Sequence, residues 1–130
     1  MTHHEQLTPT AEERAAARGN RDVGTRLLFE NDAVRVWEVR LASGERAPLH
    51  CHALDYFWTC VEAGTAGQIT MNGSDWQRTR VDYTVGDTRF FHHGQGTRTI
   101  HDLHNIGDTT LRFITVELLG TAHQGTDGPL

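Results

Sequence analysis

From Thr25 onward the sequence breaks into short runs rich in Val, Ile, Thr and aromatic residues, each closed by turn-forming residues, and this punctuation sets the fold class. The runs are TRLLFE (25–30), AVRVWEVRL (33–41), DYFWTCVE (55–62), GQITM (67–71), RTRVDYTV (78–85), TRFFHH (88–93), TRTIHDL (97–103) and LRFITVELL (111–119). Between them stand Asn31-Asp32, Ser43-Gly44, Asn72-Gly73, Gly86-Asp87, Gly94-Gln95-Gly96 and Gly107-Asp108. Asn72-Gly73 is the strongest hairpin signal, because a type I′ turn needs two residues that tolerate positive φ. Roughly eight strands at this spacing predict an all-β sandwich or closed barrel. Helix signals are confined to residues 8–18, where Thr10 and Glu13 read as a capping box, an Ala-rich stretch follows, and Gly19-Asn20 stops it. The expected organisation is an N-terminal segment over 1–24 with its short helix, a barrel over 25–120, and a loose tail over 121–130.

A chain of 130 residues fits one domain that hides about two-thirds of its unfolded surface. Its hydrophobic fraction of 37% and charged fraction of 22% are globular values. A net charge of -5 without a basic cluster argues against a nucleic-acid or anionic-membrane partner, since phosphate binding draws on grouped Lys and Arg. No apolar run has the length of a signal peptide or a membrane span, so a cytoplasmic protein is expected. Cys51 and Cys60 are too few for a disulfide framework and read as free thiols. The compositional oddity is nine histidines, which points toward coordination chemistry.

The informative stretch is GERAPLHCHALDYFWTCVEAG, residues 44–64. On a strand, His50 and His52 face the same way about 7 Å apart, with Cys51 turned to the other side. Two imidazoles so placed can grip one ion. Asp55 reads either as a carboxylate that swings toward such an ion or as a corner residue bonding its own backbone. Tyr56 reads as a proton donor or as a packed aromatic. His92 and His93 offer a fourth ligand, a general base or a solvated pair. His104, three residues beyond His101, falls on the opposite face.

Gly44, His50, His52 and Gly64 match the spacing of the first cupin motif, and His101 and Asn105, with Gly86 before them, match the ending of the second. The segment over about 27–119 therefore resembles the cupin family. The resemblance implies a cupin (RmlC-like) jelly-roll barrel and a mononuclear metal site on His50, His52 and His101. Two departures stand out. The family's usual glutamate position falls on Phe57, or on Tyr56 under the shorter spacing, and neither is a carboxylate. The gap from Gly86 to His101 is also longer than the family pattern.

Three neutral imidazoles leave the full charge on a divalent ion, which favours an anionic or enolate-like chelating substrate, and they leave coordination positions open. Imidazole suits Fe2+, Zn2+, Ni2+, Mn2+ and Cu2+. The resemblance to three-histidine cupins favours Fe2+ and a non-haem oxygenase acting on a small chelating acid, diketone or thiol. Phe57 is expected to wall the substrate pocket, with Arg89 and Arg98 as candidates to hold a substrate carboxylate. A redox-neutral isomerase, decarboxylase or lyase, and a non-catalytic small-ligand binder, are the alternatives. A homodimer is implied by the same resemblance.

Overall fold

The computed structural model describes residues 5–72, 75–93 and 97–121. The tail from 122, His3, His4 and the Gly94-Gln95-Gly96 turn lie outside these residues, as does Gly73 of the expected hairpin turn. Among the described residues there are nine strands: β1 Arg26–Glu30, β2 Val34–Leu41, β3 Arg46–His52, β4 Tyr56–Glu62, β5 Gly64–Asn72, β6 Asp75–Tyr83, β7 Thr88–Phe91, β8 Thr99–Asn105 and β9 Leu111–Leu118. They form two antiparallel sheets, in the order β1-β2-β9-β4-β7 and β3-β8-β5-β6. Gly44 and Gly86 occupy positive φ, +87° and +94°, in the turns before β3 and β7, a backbone state that residues with a Cβ disfavour. No helix among the described residues is long and apolar enough to cross a membrane.

The core lies between the sheets. Val39, Leu41, Cys60, Leu111 and Phe113 from the first meet Ala47 and Ala66 from the second. Trp58, Tyr83 and Phe113 close it with edge-to-face contacts at 4.9 to 5.4 Å. Both cysteines are buried, and neither is in a disulfide. The opposite face of the first sheet is not polar throughout. Phe29, Val36, Val116, Phe57 and Phe90 align in register across all five strands, and the two end residues are each 54% exposed.

The helix is shorter than the sequence suggested. It runs Ala11–Ala16 and tightens into a 3-10 turn, Ala17–Gly19. Thr10 Oγ1 accepts from Glu13 N at 3.1 Å, so the cap is real. The returning half of the capping box is absent, because the Glu13 carboxylate instead takes Arg46 and the backbone N of Leu49, at 2.8 Å. A charge-assisted pair outcompetes a neutral backbone donor.

That diversion matters for β3. Pairing between β3 and β8 slips between Ala47 and His50, where Pro48 has no N–H to give. The helix segment repairs the gap: Leu49 N donates to Glu13, Leu49 O accepts from Asn20 Nδ2 at 3.0 Å, and Cys51 N donates to Asn20 O at 2.8 Å. Arg46 also bonds Asp102 at 2.9 Å, and Asp102, fully buried, accepts from Ile69 N at 2.7 Å.

Arg46→Met should therefore destabilise the fold by about 3–5 kcal/mol at pH 7, by leaving Asp102 charged and unpaired. Burial already holds the Asp102 pKa above its ordinary value, and losing the cation raises it further. A raised carboxylate pKa means that the folded state binds the proton more tightly than the unfolded chain. The gap between variant and parent should thus shrink as pH falls toward 5, as paired urea titrations at the two pH values would show.

Candidate metal centre

His50 and His52 are set by β3, and His101 comes from β8, where it pairs directly with His50. The three rings meet edge to face, with centroids 4.7 to 5.0 Å apart. One ring nitrogen from each lies within 4.8 Å of the other two, and the Nε2 atoms of His52 and His101 are 3.1 Å apart. Ligands bound at about 2.0–2.2 Å to one ion stand roughly 3 Å from each other, so this approach suits shared coordination. His50 Nδ1 sits 2.8 Å from the Pro48 carbonyl, which takes its proton and leaves Nε2 with a lone pair. His52 Nδ1 is buried without a protein partner. Burial lowers the pKa of His50 to about 4. Burial and the neighbouring imidazoles hold His52 and His101 well below the usual histidine range. All three are neutral ligands at pH 7, and the residues present fit a divalent ion.

Tyr56 is the neighbour that closes the site. Its ring stacks on His52 at 3.9 Å and on Phe91 at 4.7 Å, and its buried hydroxyl has no protein partner. Burial pushes its pKa up, so the phenol is a neutral donor. Tyr56 and Trp58 line the cavity with the three histidines. Phe57 does not. Strand alternation turns it outward into the apolar row described above, so the shorter motif spacing places Tyr56 at the glutamate position.

Asp55 is not among the clustered ligands. It accepts from His93 N at 2.7 Å and contacts His92 Nδ1 at 2.9 Å, which ties the end of β7 to the start of β4. Burial raises its pKa, but these two histidines lower it overall. His92 points to solvent, 76% exposed. His93 is buried, with Nε2 2.9 Å from Thr99 Oγ1 and its ring 5.8 Å from Tyr56. Arg89 lies at the cavity mouth with its guanidinium 4.9 Å from the Phe91 ring, whereas Arg98 is not among the lining residues. His104 faces away, at 3.3 Å from Leu7 N and 3.2 Å from Gly44 O. Asn105 is a buried corner brace that donates to Leu41 O and Thr109 O and accepts from Gly107 N.

Sequence reasoning missed Gln68. Its Nε2 is 2.8 Å from His101 Nδ1, and it lines the same cavity. As placed, Nε2 donates to Nδ1; with the carboxamide turned over, its oxygen would accept Nδ1–H and leave His101 Nε2 free for an ion. Gln68→Leu removes this partner of His101 Nδ1 and should weaken metal binding about 10–100-fold, measurable by competition with a chromophoric chelator.

No family model matches the chain, and no curated protein does. Solved structures do. A cupin domain from Bordetella pertussis Tohama I aligns with a TM-score of 0.57 at 22% identity, covering 71% of this chain and 88% of that one. A protein with a double-stranded β-helix domain from Klebsiella pneumoniae gives 0.56 at 19% identity, covering 88% and 90%. An RmlC-like cupin protein from Methanocaldococcus jannaschii gives 0.55 at 18%, covering 76% and 84%. The chain has the cupin fold. Within that cupin barrel the three histidines stand on adjacent strands of one sheet, at the wall of a cavity that opens between β6 and β7.

Proposed function

We propose that this cupin is a mononuclear metal enzyme, a non-haem Fe(II) oxygenase acting on a small chelating organic acid, diketone or thiol. The observation that carries the reading is the convergence of three neutral imidazoles, with no carboxylate among them, on one point of a buried cavity wall. A bound ferrous ion would supply substrate chelation and dioxygen activation, with its charge undiminished by the protein. The protein's own residues do the rest. Gln68 and the Pro48 carbonyl orient two of the imidazoles, the Tyr56–Phe91 stack excludes water from one side, and the Tyr56 hydroxyl is placed to donate a hydrogen bond to whatever occupies the cavity.

Oxygen uptake after anaerobic loading with Fe2+, across diketones, thiols and chelating acids, tests this function. Uptake with one class establishes the reaction. No uptake, together with turnover under strict anaerobiosis by the Zn2+ or Mn2+ form, would select a redox-neutral isomerase, decarboxylase or lyase instead. The homodimer is part of the same proposal. A two-fold pair can lay the row from Phe29 to Phe90 against its own copy, and a monomer by light scattering contradicts it.

A further inference from the structure

The cavity has two parts of unequal size. The inner part, beside the histidines, has room of about 50 Å³, enough for a few water-sized groups. The outer part, between β6 and β7, has about 680 Å³ and shares Tyr56, Trp58, Gln68, Tyr83 and His101 with the inner one. A ligand chelated at the histidines therefore fits only its head inside and carries its bulk in the vestibule.

The vestibule wall is built in register with the metal centre. On the second sheet His50 pairs with His101, His101 with Thr70, and Thr70 with Gln77, so one cross-strand row runs from the imidazoles to the rim. Gln68 and Thr79 form the next row. At about 4.8 Å per strand, Gln77 stands roughly 10 Å from His101 along the sheet. These four neutral side chains face the vestibule, together with Thr99 from β8 of the same sheet and Thr88 from β7 of the other. An inward sheet face is ordinarily apolar, and this one offers uncharged donors and acceptors. Trp58, Tyr83 and Phe91 add aromatic surfaces to the same walls. Two charged residues lie at its mouth: Arg89, over Phe91, and Asp87, which accepts from Thr84 N and Oγ1 at 2.9 and 3.0 Å.

We infer that the substrate is a chelating acid with a neutral, hydroxyl-bearing chain of about six carbons, held by Thr70, Gln77, Gln68 and Thr79 along the vestibule. This rests on the metal reading and narrows it. A bare diketone or an alkyl thiol leaves the polar rows unanswered.

The test uses the Ni2+-loaded protein and three probes with one chelating head: glycolate has no tail, 2-hydroxyhexanoate has an apolar tail, and gluconate has a hydroxylated tail. Calorimetric titration, with the metal-free protein as blank, should show gluconate binding about tenfold or more tightly than 2-hydroxyhexanoate, the worth of two or three hydrogen bonds. Gln77→Ala with Thr79→Val, both exposed positions on an edge strand, should bring that ratio close to one and leave glycolate unchanged. Equal or tighter binding of 2-hydroxyhexanoate overturns the inference, as does a ratio that the double variant does not move. If glycolate binds in either case, the metal reading stands and only the substrate class is wrong. A protein that takes up neither Ni2+ nor glycolate overturns both.

Discussion

Replacing any one of His50, His52 or His101 by alanine is expected to empty the metal centre, whereas His93→Ala leaves it loaded. Among the described residues the three nitrogens are the whole donor set, since Asp55 is held by the β7 end and Tyr56 presents a neutral phenol. Losing one of three ligands should cost more than the roughly 10–100-fold that follows loss of an outer partner. Metal analysis after desalting reads this directly. Thermal scans read it again: an ion at a hundred times its Kd stabilises by about 2.7 kcal/mol, which for this chain length is a rise of about 10 °C in Tm. That rise should vanish in the three ligand variants and persist in His93→Ala. Undiminished occupancy in His101→Ala would remove the three-histidine site from consideration.

Tyr56→Glu is expected to tighten metal binding by more than about tenfold, while Phe57→Glu leaves it unchanged. Only position 56 faces the histidines, so a carboxylate there can join them as a fourth ligand, and one at 57 enters the outer apolar row. The gain should come with a loss of turnover, because an anionic ligand cancels part of the ion's charge. It should also come with a weaker metal-free fold, by about 3–5 kcal/mol, as the stacks on His52 and Phe91 disappear. Equilibrium dialysis of both variants against a limiting metal buffer compares them on one scale. Tighter binding in Phe57→Glu alone would mean that β4 presents its other face to the site.

The contrast between these two positions shows what the sequence could and could not say. Eight of the strands announce themselves by β-branched and aromatic runs, but β3, RAPLHCH, has no β-branched residue and contains a proline. It is legible only through the spacing of its histidines. The facing of β4 is ambiguous for a physical reason. Tyr56, Trp58 and Cys60 line the interior, yet the alternate residue Phe57 belongs to an apolar outer row, so hydrophobicity does not mark the inner face. His104 was separable from His101 by alternation alone. Gln68 was not legible, because its role depends on which strand β5 pairs with. Likewise nothing local to Glu13 predicts that its carboxylate leaves the helix cap for Arg46 on a strand far along the chain.

That same carboxylate limits how the protein can be divided. Strand β1 begins at Arg26, and a protein engineer seeking a minimal barrel would cut just before it. The cut would take away Glu13 and Asn20, which between them satisfy Leu49 N, Leu49 O and Cys51 N in the stretch of β3 that carries His50 and His52. The three backbone groups would be left to water at the point where two of the ligands are aimed. The histidine cluster is therefore held in shape by residues from a segment that, among the described residues, contributes no strand and no histidine to it.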